Sequence, residues 1–247
     1  MPASWLYNTI SKGARSRVRS WKAPIPVICI GNLTMGGTGK TTVAISICEK
    51  LVARGQNPHF LSRGYGRKKA STMKVDLTKH DINDVGDEPL LLARFAPVWV
   101  NKDRVTAAKR ACAEGATCII MDDGFQNPGL FKDYSFLVFD GPYGIGNGRI
   151  FPAGPMREHL RDGCDRADTA VIVGKDLGLI SKTLFYNKDH TYDHQFDEFR
   201  MMSLPYYRCQ LEKTPKLRWN ASGLEIFMNT TNIINLPYSF IEIFLLD

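Results

Sequence analysis

The chain has 247 residues, of which 44% are hydrophobic and 23% charged, as expected of a globular protein with one large domain and an appendage. Its apolar runs all fall short of the ~18 residues that a membrane-spanning helix needs, and its first residues lack the pattern of a secretory signal. The six cysteines are scattered without a C-x-x-C pair, so we expect buried thiols rather than a zinc site.

The net charge of +7 is concentrated at the start of the chain. No acidic side chain precedes Glu49, and five basic residues lie in the first segment: Lys12, Arg15, Arg17, Arg19 and Lys22. A helix would align the apolar residues of this segment on one side: Trp5, Leu6, Ile10, Ala14, Val18 and Trp21. A basic amphipathic arm over residues 1–24 favours the surface of an anionic bilayer. Packing on the protein's own surface and binding to nucleic acid are the alternatives that the arm leaves open.

A glycine-rich turn follows the first apolar strand, which we predict over residues 25–30. Residues 31–42 read Gly-Asn-Leu-Thr-Met-Gly-Gly-Thr-Gly-Lys-Thr-Thr and lead into a helix-like stretch over 43–51. Strand, glycine-rich turn, Lys-Thr and helix form a phosphate-binding loop, in which backbone N–H groups and the helix N-terminus face an anion. Lys40 is expected to reach the β- and γ-phosphates, and the Thr41 hydroxyl to ligate Mg²⁺.

The match to this loop departs from the strict consensus at one position, because Thr34 stands where the consensus has its first glycine. The alternative is a glycine-rich turn that merely precedes a helix. We predict that nine consecutive residues bind the nucleotide: Thr34, Met35, Gly36, Gly37, Thr38, Gly39, Lys40, Thr41 and Thr42.

Strand-like and helix-like segments alternate along the next part of the chain. Strands are predicted over residues 58–61, 97–100, 117–121, 135–139 and 169–173, with a helix over 104–114. This alternation predicts an α/β fold of the P-loop NTPase type, with a mostly parallel sheet covered by helices on both faces. Because ligands bind beyond the carboxyl ends of such strands, the loops that follow them should gather around one cleft.

Two pairs of acidic residues are candidates for that cleft. Asp122 and Asp123 end an apolar strand, where a carboxylate commonly holds nucleotide-bound Mg²⁺, although Asp-Asp-Gly is also a common turn. Asp87 and Glu88 precede a helix-like stretch over 90–94. One of these two carboxylates is a candidate to accept a proton from an attacking hydroxyl while its neighbour assists at the metal, and the alternative is an ordinary acidic helix start.

Together these segments resemble one family, the tetraacyldisaccharide 4′-kinases, from about residue 21 to about residue 175. Five ordered motifs carry the resemblance, at residues 26–41, 61–66, 85–89, 122–126 and 146–158. The resemblance implies transfer of the γ-phosphate of ATP, with Mg²⁺, to the 4′-hydroxyl of tetraacyldisaccharide 1-phosphate, which gives lipid IVA in lipid A biosynthesis. It also implies a peripheral enzyme on the cytoplasmic face of the bacterial inner membrane. Its partners would be the lipid A disaccharide precursor and the anionic membrane surface, with neither nucleic acid nor an obligate protein partner.

Catalytic roles come to five residues through the resemblance. The resemblance places Lys40 on the phosphates and makes Asp87 the candidate general base. Arg104 and Arg157 stabilise charge or hold a substrate phosphate. The family pairs its base with a histidine from a small second domain, and His194 in Asp-His-Gln-Phe matches that motif, with a surface histidine as the alternative.

Metal-binding roles come to four residues in the same way. The resemblance places Thr41 on Mg²⁺, Glu88 near the metal, and Asp122 and Asp123 in the metal region. The chain is thereby divided into the arm over 1–24, a P-loop kinase domain over 25–175 and a small or divergent C-terminal region over 176–247, an incomplete second α/β domain.

Two other functions are weighed against the kinase. One is a P-loop ATPase that acts on a membrane or on DNA, but such proteins typically carry a signature lysine where Met35 stands. The other is a non-catalytic nucleotide-binding member of the kinase family, since residues after about 196 show little resemblance to it.

Overall fold

The computed structural model describes residues 18–64 and 71–175, together with residues 4, 13, 177 and 180. Beyond these it describes short stretches of backbone as strands, at residues 195–196, 199–203, 218–220 and 223–225. Among the described residues, no helix combines the length and the apolar character that crossing a bilayer requires.

The described residues form eleven strands and five helices. The strands are β1 (Val27–Gly31), β2 (Pro58–Ser62), β3 (Met73–Lys74), β4 (Val98–Val100), β5 (Cys118–Asp122), β6 (Tyr134–Asp140), β7 (Thr169–Val173), β8 (Gln195–Phe196), β9 (Phe199–Ser203), β10 (Arg218–Asn220) and β11 (Gly223–Glu225). The helices are α1 (Lys40–Ala53), α2 (Ile82–Val85), α3 (Asp87–Leu92), α4 (Arg104–Ala113) and α5 (Leu160–Cys164).

Nine of the strands form one sheet in the order β3-β4-β2-β5-β1-β6-β7-β9-β8. The six strands from β4 to β7 in this order are parallel, with β1 at the centre between β5 and β6. Antiparallel strands lie at both edges, with β3 beside β4 at one and β9 followed by β8 beside β7 at the other. The central position of β1 puts the glycine-rich turn in the middle of the sheet's carboxyl edge.

Two hydrophobic clusters cover the two faces of the sheet. Side chains of β1 alternate between them, so that Val27 and Cys29 join one cluster and Ile28 and Ile30 the other. Helices α4 and α5 contribute to the first cluster, and α1 and α3 to the second. A mostly parallel sheet with helices on both faces, as predicted from the alternation, is therefore confirmed.

The helix predicted for the amphipathic arm does not extend to the end of the arm. Ser4 and Gly13 are helical, but Val18 has no regular secondary structure and Trp21 forms an isolated β-bridge, so neither continues a helix. The reason is a strand-like contact, in which Trp21 N donates to Gly129 O at 2.8 Å and Phe131 N donates to Trp21 O at 2.9 Å. The remaining arm residues before Val18 lie outside the described part of the chain, as does most of the predicted C-terminal region. Within that region, β8 and β9 extend the main sheet.

Candidate active site

The glycine-rich turn is shaped by the backbone freedom of its glycines and by one buried side chain. Gly36 and Gly39 have φ angles of 117° and 78°, in the left-handed region that favours glycine. Gly39 ends the turn, and its carbonyl accepts the first α1 hydrogen bond, from Val43 N at 3.0 Å. The fully buried Asn32 amide donates to Thr38 Oγ1 at 3.2 Å and to Gly36 O at 3.4 Å. These contacts close the turn over the N-terminus of α1.

A distant segment pairs with the first part of the turn. Met35 N donates to Pro155 O at 2.7 Å, and Arg157 N donates to Leu33 O at 2.6 Å. Thr34 is buried opposite Met156 in the same ladder. The pairing removes the Met35 N–H from the donors that we predicted for phosphate, because a carbonyl already occupies it. It also brings the Arg157 side chain to the turn.

Two cations flank the Asp123 carboxylate. Arg157 Nη1 donates to Asp123 Oδ1 at 3.0 Å, and Lys40 Nζ lies 3.8 Å from the same oxygen. Lys40 is buried at the base of the turn. Asp123 has a φ of 48°, an uncommon conformation for a residue with a side chain, which directs the chain away from β5 immediately after Asp122. The predicted residues of β5, α1 and the 146–158 motif therefore converge.

Asp122 is the most deeply buried carboxylate of this group, with 2% of its surface exposed. Its Oδ2 accepts a hydrogen bond from Thr41 Oγ1 at 3.4 Å, whereas its Oδ1 has no partner among the described residues. Burial raises the pKa of Asp122 to about 7, helped by the negative charges of Glu88 and Asp123 and opposed by Lys40 and by the Thr41 hydrogen bond. An unsatisfied buried carboxylate oxygen is costly unless a ligand completes it.

The Asp87–Glu88 pair begins α3, as the sequence predicted, and Gly86 precedes it with a φ of 94°. Asp87 is exposed and its Oδ1 accepts from Glu88 N at 2.9 Å. Desolvation raises the pKa of Glu88, and the charges of Asp123 and Asp87 act in the same direction, against Lys40. Glu88 therefore belongs electrostatically to the group around Lys40.

Arg104 begins α4 and is almost completely buried, at 3% exposure. Its Nη1 donates to Asn101 O at 2.5 Å, and its Nε has no partner among the described residues. Burial lowers the pKa of Arg104 to about 10; the positive charge of Arg63 acts in the same direction, while Asp123 opposes it. Arg63 follows β2 and Arg104 begins the helix after β4, so both lie towards the carboxyl edge, where their charges favour an anion.

Gln126 and Glu158, two motif residues to which the sequence assigned no role, connect the site residues to one another. Gln126 donates from Nε2 to Asn32 O at 2.9 Å and to Glu158 Oε1 at 3.2 Å, and its Oε1 accepts from Arg157 at 3.3 Å. The buried Glu158 carboxylate is also paired with Arg166. Gln126 thereby links the glycine-rich turn to Arg157. The sequence could have indicated a role for Gln126 and Glu158, since each follows a predicted site residue within its motif.

His194, the predicted partner of the base, lies outside the described residues. Among the described residues, no three His, Cys, Asp or Glu side chains are grouped closely enough to hold a metal ion by themselves. The open Oδ1 of Asp122 and the adjacent Thr41 hydroxyl nevertheless fit Mg²⁺, which usually takes one or two protein oxygens and completes its shell with water and phosphate.

A central parallel strand, a glycine-rich turn ending in Lys-Thr at a helix N-terminus and a buried carboxylate at the next strand end define a P-loop nucleotide-binding protein. Residues 1–228 match the LpxK family, tetraacyldisaccharide-1-P 4′-kinase. The chain belongs to this family.

Relatives named tetraacyldisaccharide 4′-kinase include one from Gluconacetobacter diazotrophicus, 52% identical over 71% of this chain and 53% of its own length. Another, from Parvibaculum lavamentivorans, is 49% identical over 70% of this chain and 51% of its own. A crystal structure of LpxK from Aquifex aeolicus in complex with ATP is similar with a TM-score of 0.62 and 30% identity, over 77% of this chain and 60% of that one. The chain spans about half the length of the curated relatives that it matches.

Proposed function

We propose that this chain is an ATP-dependent kinase that transfers the γ-phosphate to the 4′-hydroxyl of tetraacyldisaccharide 1-phosphate, forming lipid IVA in lipid A biosynthesis. One observation carries the proposal: Lys40, Thr41 and Arg157 converge on the adjacent carboxylates of Asp122 and Asp123 at the end of a glycine-rich turn. Membership of the kinase family supports the choice of acceptor.

The nucleotide end of the reaction is assigned to the turn. Backbone N–H groups of residues 36–42 and the start of α1 would hold the phosphates of ATP, and Lys40 would neutralise the terminal one. Its present neighbour, Asp123, holds the Lys40 ammonium 3.8 Å away and so keeps it directed across the turn. Arg157, 3.0 Å from the same carboxylate, would stabilise charge on the transferred group.

Mg²⁺ would be held by Asp122 and Thr41, with Asp123 and Glu88 as neighbouring charges. When bound, the ion supplies charge neutralisation for the phosphates during transfer. The buried Asp122 side chain must be ionised to serve, and Lys40 and Thr41 are the groups that favour its ionised form.

The acceptor end is assigned to the outer side of the same edge. Asp87 is exposed at the start of α3, where it can accept the proton of an incoming hydroxyl, and we assign His194 as its partner. Arg63 and Arg104 follow strands that end at this edge, and the Nε of Arg104 has no partner among the described residues, so this pair would hold a phosphate of the acceptor.

The proposed location is the cytoplasmic face of the bacterial inner membrane, with the chain bound peripherally to anionic lipid. The basic arm supports this location, because it carries five cations and no acidic residue before Glu49. A lipid acceptor also requires the enzyme to work at a bilayer surface.

The test is a transfer assay with purified protein, ATP, Mg²⁺ and detergent-dispersed tetraacyldisaccharide 1-phosphate. Phosphate transfer that depends on the acceptor is the expected result. Hydrolysis of ATP stimulated by DNA or by bare vesicles would instead identify a P-loop ATPase, and nucleotide binding without turnover would identify a non-catalytic family member. Either result would overturn the proposal.

Replacing the proposed base tests the acceptor side separately. Asp87→Ala should lower kcat by about 10²- to 10⁴-fold, the usual contribution of a positioned general base, with little change in ATP affinity, because Asp87 lies outside the turn. Steady-state transfer rates and nucleotide titration measure the two effects. Asp84→Ala, in the preceding helix α2, is the control. Equal kcat in the wild type and Asp87→Ala would remove the base assignment.

Removing residues 1–22 tests the proposed location. The truncated chain should co-sediment more weakly with anionic vesicles, because it loses all five cations of the arm. Added salt should weaken binding of the intact chain towards the same level. Unchanged co-sedimentation would exclude the arm as a membrane anchor.

A further inference from the structure

The N-terminal segment contacts the rest of the protein at two separated places. Near its start, Ser4 Oγ donates to Ile150 O at 3.1 Å. At its end, Trp21 pairs with the chain around Leu130, through the hydrogen bonds to Gly129 and Phe131 described above. Leu130 and Ile150 are both buried in the same hydrophobic cluster, so the two places lie on the same side of the sheet.

Each contact place is followed by an exposed phenylalanine. Leu130 is fully buried, but the next residue, Phe131, is 43% exposed. Ile150 is 5% exposed, and the next residue, Phe151, is 42% exposed. In both cases a buried aliphatic residue is followed by a phenylalanine that keeps about two fifths of its surface exposed. Both rings lie beside contacts of the same N-terminal segment, and we refer to the two rings with their neighbours as the aromatic surface.

Cations surround this surface. Lys22 Nζ lies 5.2 Å from the centre of the Phe131 ring, and its side chain is 70% exposed although Asp133 lies 3.8 Å away. Lys109 lies 5.4 Å above the Trp21 ring. Arg149, exposed, directly precedes Ile150. Aromatic rings with lysine and arginine beside them suit the headgroup region of a bilayer, where the ring enters the apolar boundary and the cation meets lipid phosphate.

We propose that Phe131 and Phe151, next to the two places where the N-terminal segment contacts the rest of the protein, insert into an anionic phospholipid bilayer. The bilayer is preferred over a protein partner because two cations outside the arm, Lys109 and Arg149, add to the arm's positive charge beside the rings. This inference rests on the proposed membrane location and extends it to folded parts of the protein. The two rings, which are 20 residues apart in sequence, would fix the orientation of the sheet relative to the membrane, which an arm alone cannot do.

The test is co-sedimentation of the full-length chain with vesicles of phosphatidylethanolamine and phosphatidylglycerol. The double variant Phe131→Ser/Phe151→Ser should bind at least about tenfold more weakly, since both rings lose apolar area that the bilayer would bury. Phe95→Ser is the matched control, because Phe95 is 38% exposed and follows α3, on the face covered by the other hydrophobic cluster. The control should bind as the wild type does.

High salt separates the rings from the arm. It should weaken the electrostatic contribution of the arm in all variants and leave the difference between the wild type and the double variant in place. Phosphate transfer to detergent-dispersed acceptor should be unchanged in the double variant. If the wild type fails to transfer phosphate, the proposed activity is refuted. Vesicle binding would still test whether Phe131 and Phe151 insert into the bilayer.

If the double variant melts at a lower temperature than the wild type, single tryptophan replacements take its place. Phe131→Trp and Phe151→Trp should add indole emission that shifts to shorter wavelength when vesicles are added, and Phe95→Trp should add emission that does not. The inference is overturned by equal binding of the wild type and the double variant, or by equal loss of binding in Phe95→Ser. It is also overturned by a concentration-dependent dimer that Phe131→Ser abolishes, since that would identify a second copy as the partner.

Discussion

The Asp122 carboxylate shows most clearly that a residue of this site can lower the stability of the folded protein. Its side chain is buried beside two other acids, with one oxygen lacking a partner among the described residues. The unfolded chain would ionise Asp122 near its ordinary pKa of about 3.9, whereas the folded protein raises that pKa to about 7. Between these values the folded state binds more protons, so this residue favours folding at low pH and loses that contribution as pH rises towards 7.

Asp122→Asn should therefore stabilise the protein selectively at higher pH. In the absence of nucleotide and Mg²⁺, the free energy of unfolding of the variant relative to the wild type should rise by on the order of 3 kcal/mol between pH 4 and pH 8. Denaturant titration at the two pH values measures it. The same variant should lose Mg²⁺-dependent nucleotide affinity. A stability difference that does not change with pH would show that Asp122 is not held in its protonated form.

Residue identities in the motifs were predictable, but their partners were not. The sequence pointed to Lys40, Thr41 and the two adjacent aspartates because spacing along a strand and a turn is local information. It did not reveal that Asp123 is shared by Lys40 and Arg157, because 34 residues separate Asp123 from Arg157. The roles of Asn32 and Gln126 were missed for the same reason, since each acts through the backbone or side chain of another segment.

At the scale of elements, the buried parallel strands and α1 were predictable because their apolar runs and the residues that end them are strong local signals. Predicted and observed strands agree to within about two residues for β1, β2, β4, β5, β6 and β7. The short elements β3, α2 and α5 were not predicted, because two to five residues carry too little periodicity. The ladder between residues 33–35 and 155–157 pairs two irregular segments, and no local sequence pattern predicts such a pairing.

The close packing of β1 against the loop after β5, at Gly31, can be tested by substitution. A Cβ on Gly31, the last residue of β1, would lie 2.3 Å from Phe125 Cβ, and Phe125 is itself buried. Gly31→Ala should therefore cost about 2 kcal/mol or more of unfolding free energy, because neither backbone can move without disturbing the sheet. Thermal melting measures the loss.

Gly37→Ala is the control for that loss. Gly37 lies in the same turn, has no atom within 4 Å of its Cβ position, and should change stability by less than about 0.5 kcal/mol. Equal melting temperatures for Gly31→Ala and Gly37→Ala would contradict the packing described between β1 and the loop after β5.

At the scale of the whole molecule, the parallel arrangement of the strands determines where the candidate site residues lie. Because β1, β2, β4, β5 and β6 run in the same direction, residues far apart in sequence meet at one edge. Charge is also unevenly distributed along the chain, with basic residues before the first strand, the Asp87–Glu88 pair at the start of α3 and the Asp122–Asp123 pair at the end of β5. The architecture followed from alternation alone, whereas the proposed partner of the base, His194, lies in a region that the structure does not describe.

The most direct test of the central claim is the affinity for ATP and Mg²⁺ when Lys40 is replaced, measured by isothermal titration calorimetry. Lys40→Ala should weaken binding by at least about 30-fold, a loss of about 2 kcal/mol, because the charge that meets the terminal phosphate is removed. Lys50→Ala, which removes a lysine at the other end of α1, should bind as the wild type does. Unchanged affinity in Lys40→Ala would contradict the assignment of the glycine-rich turn and the Asp122–Asp123 pair as the nucleotide site.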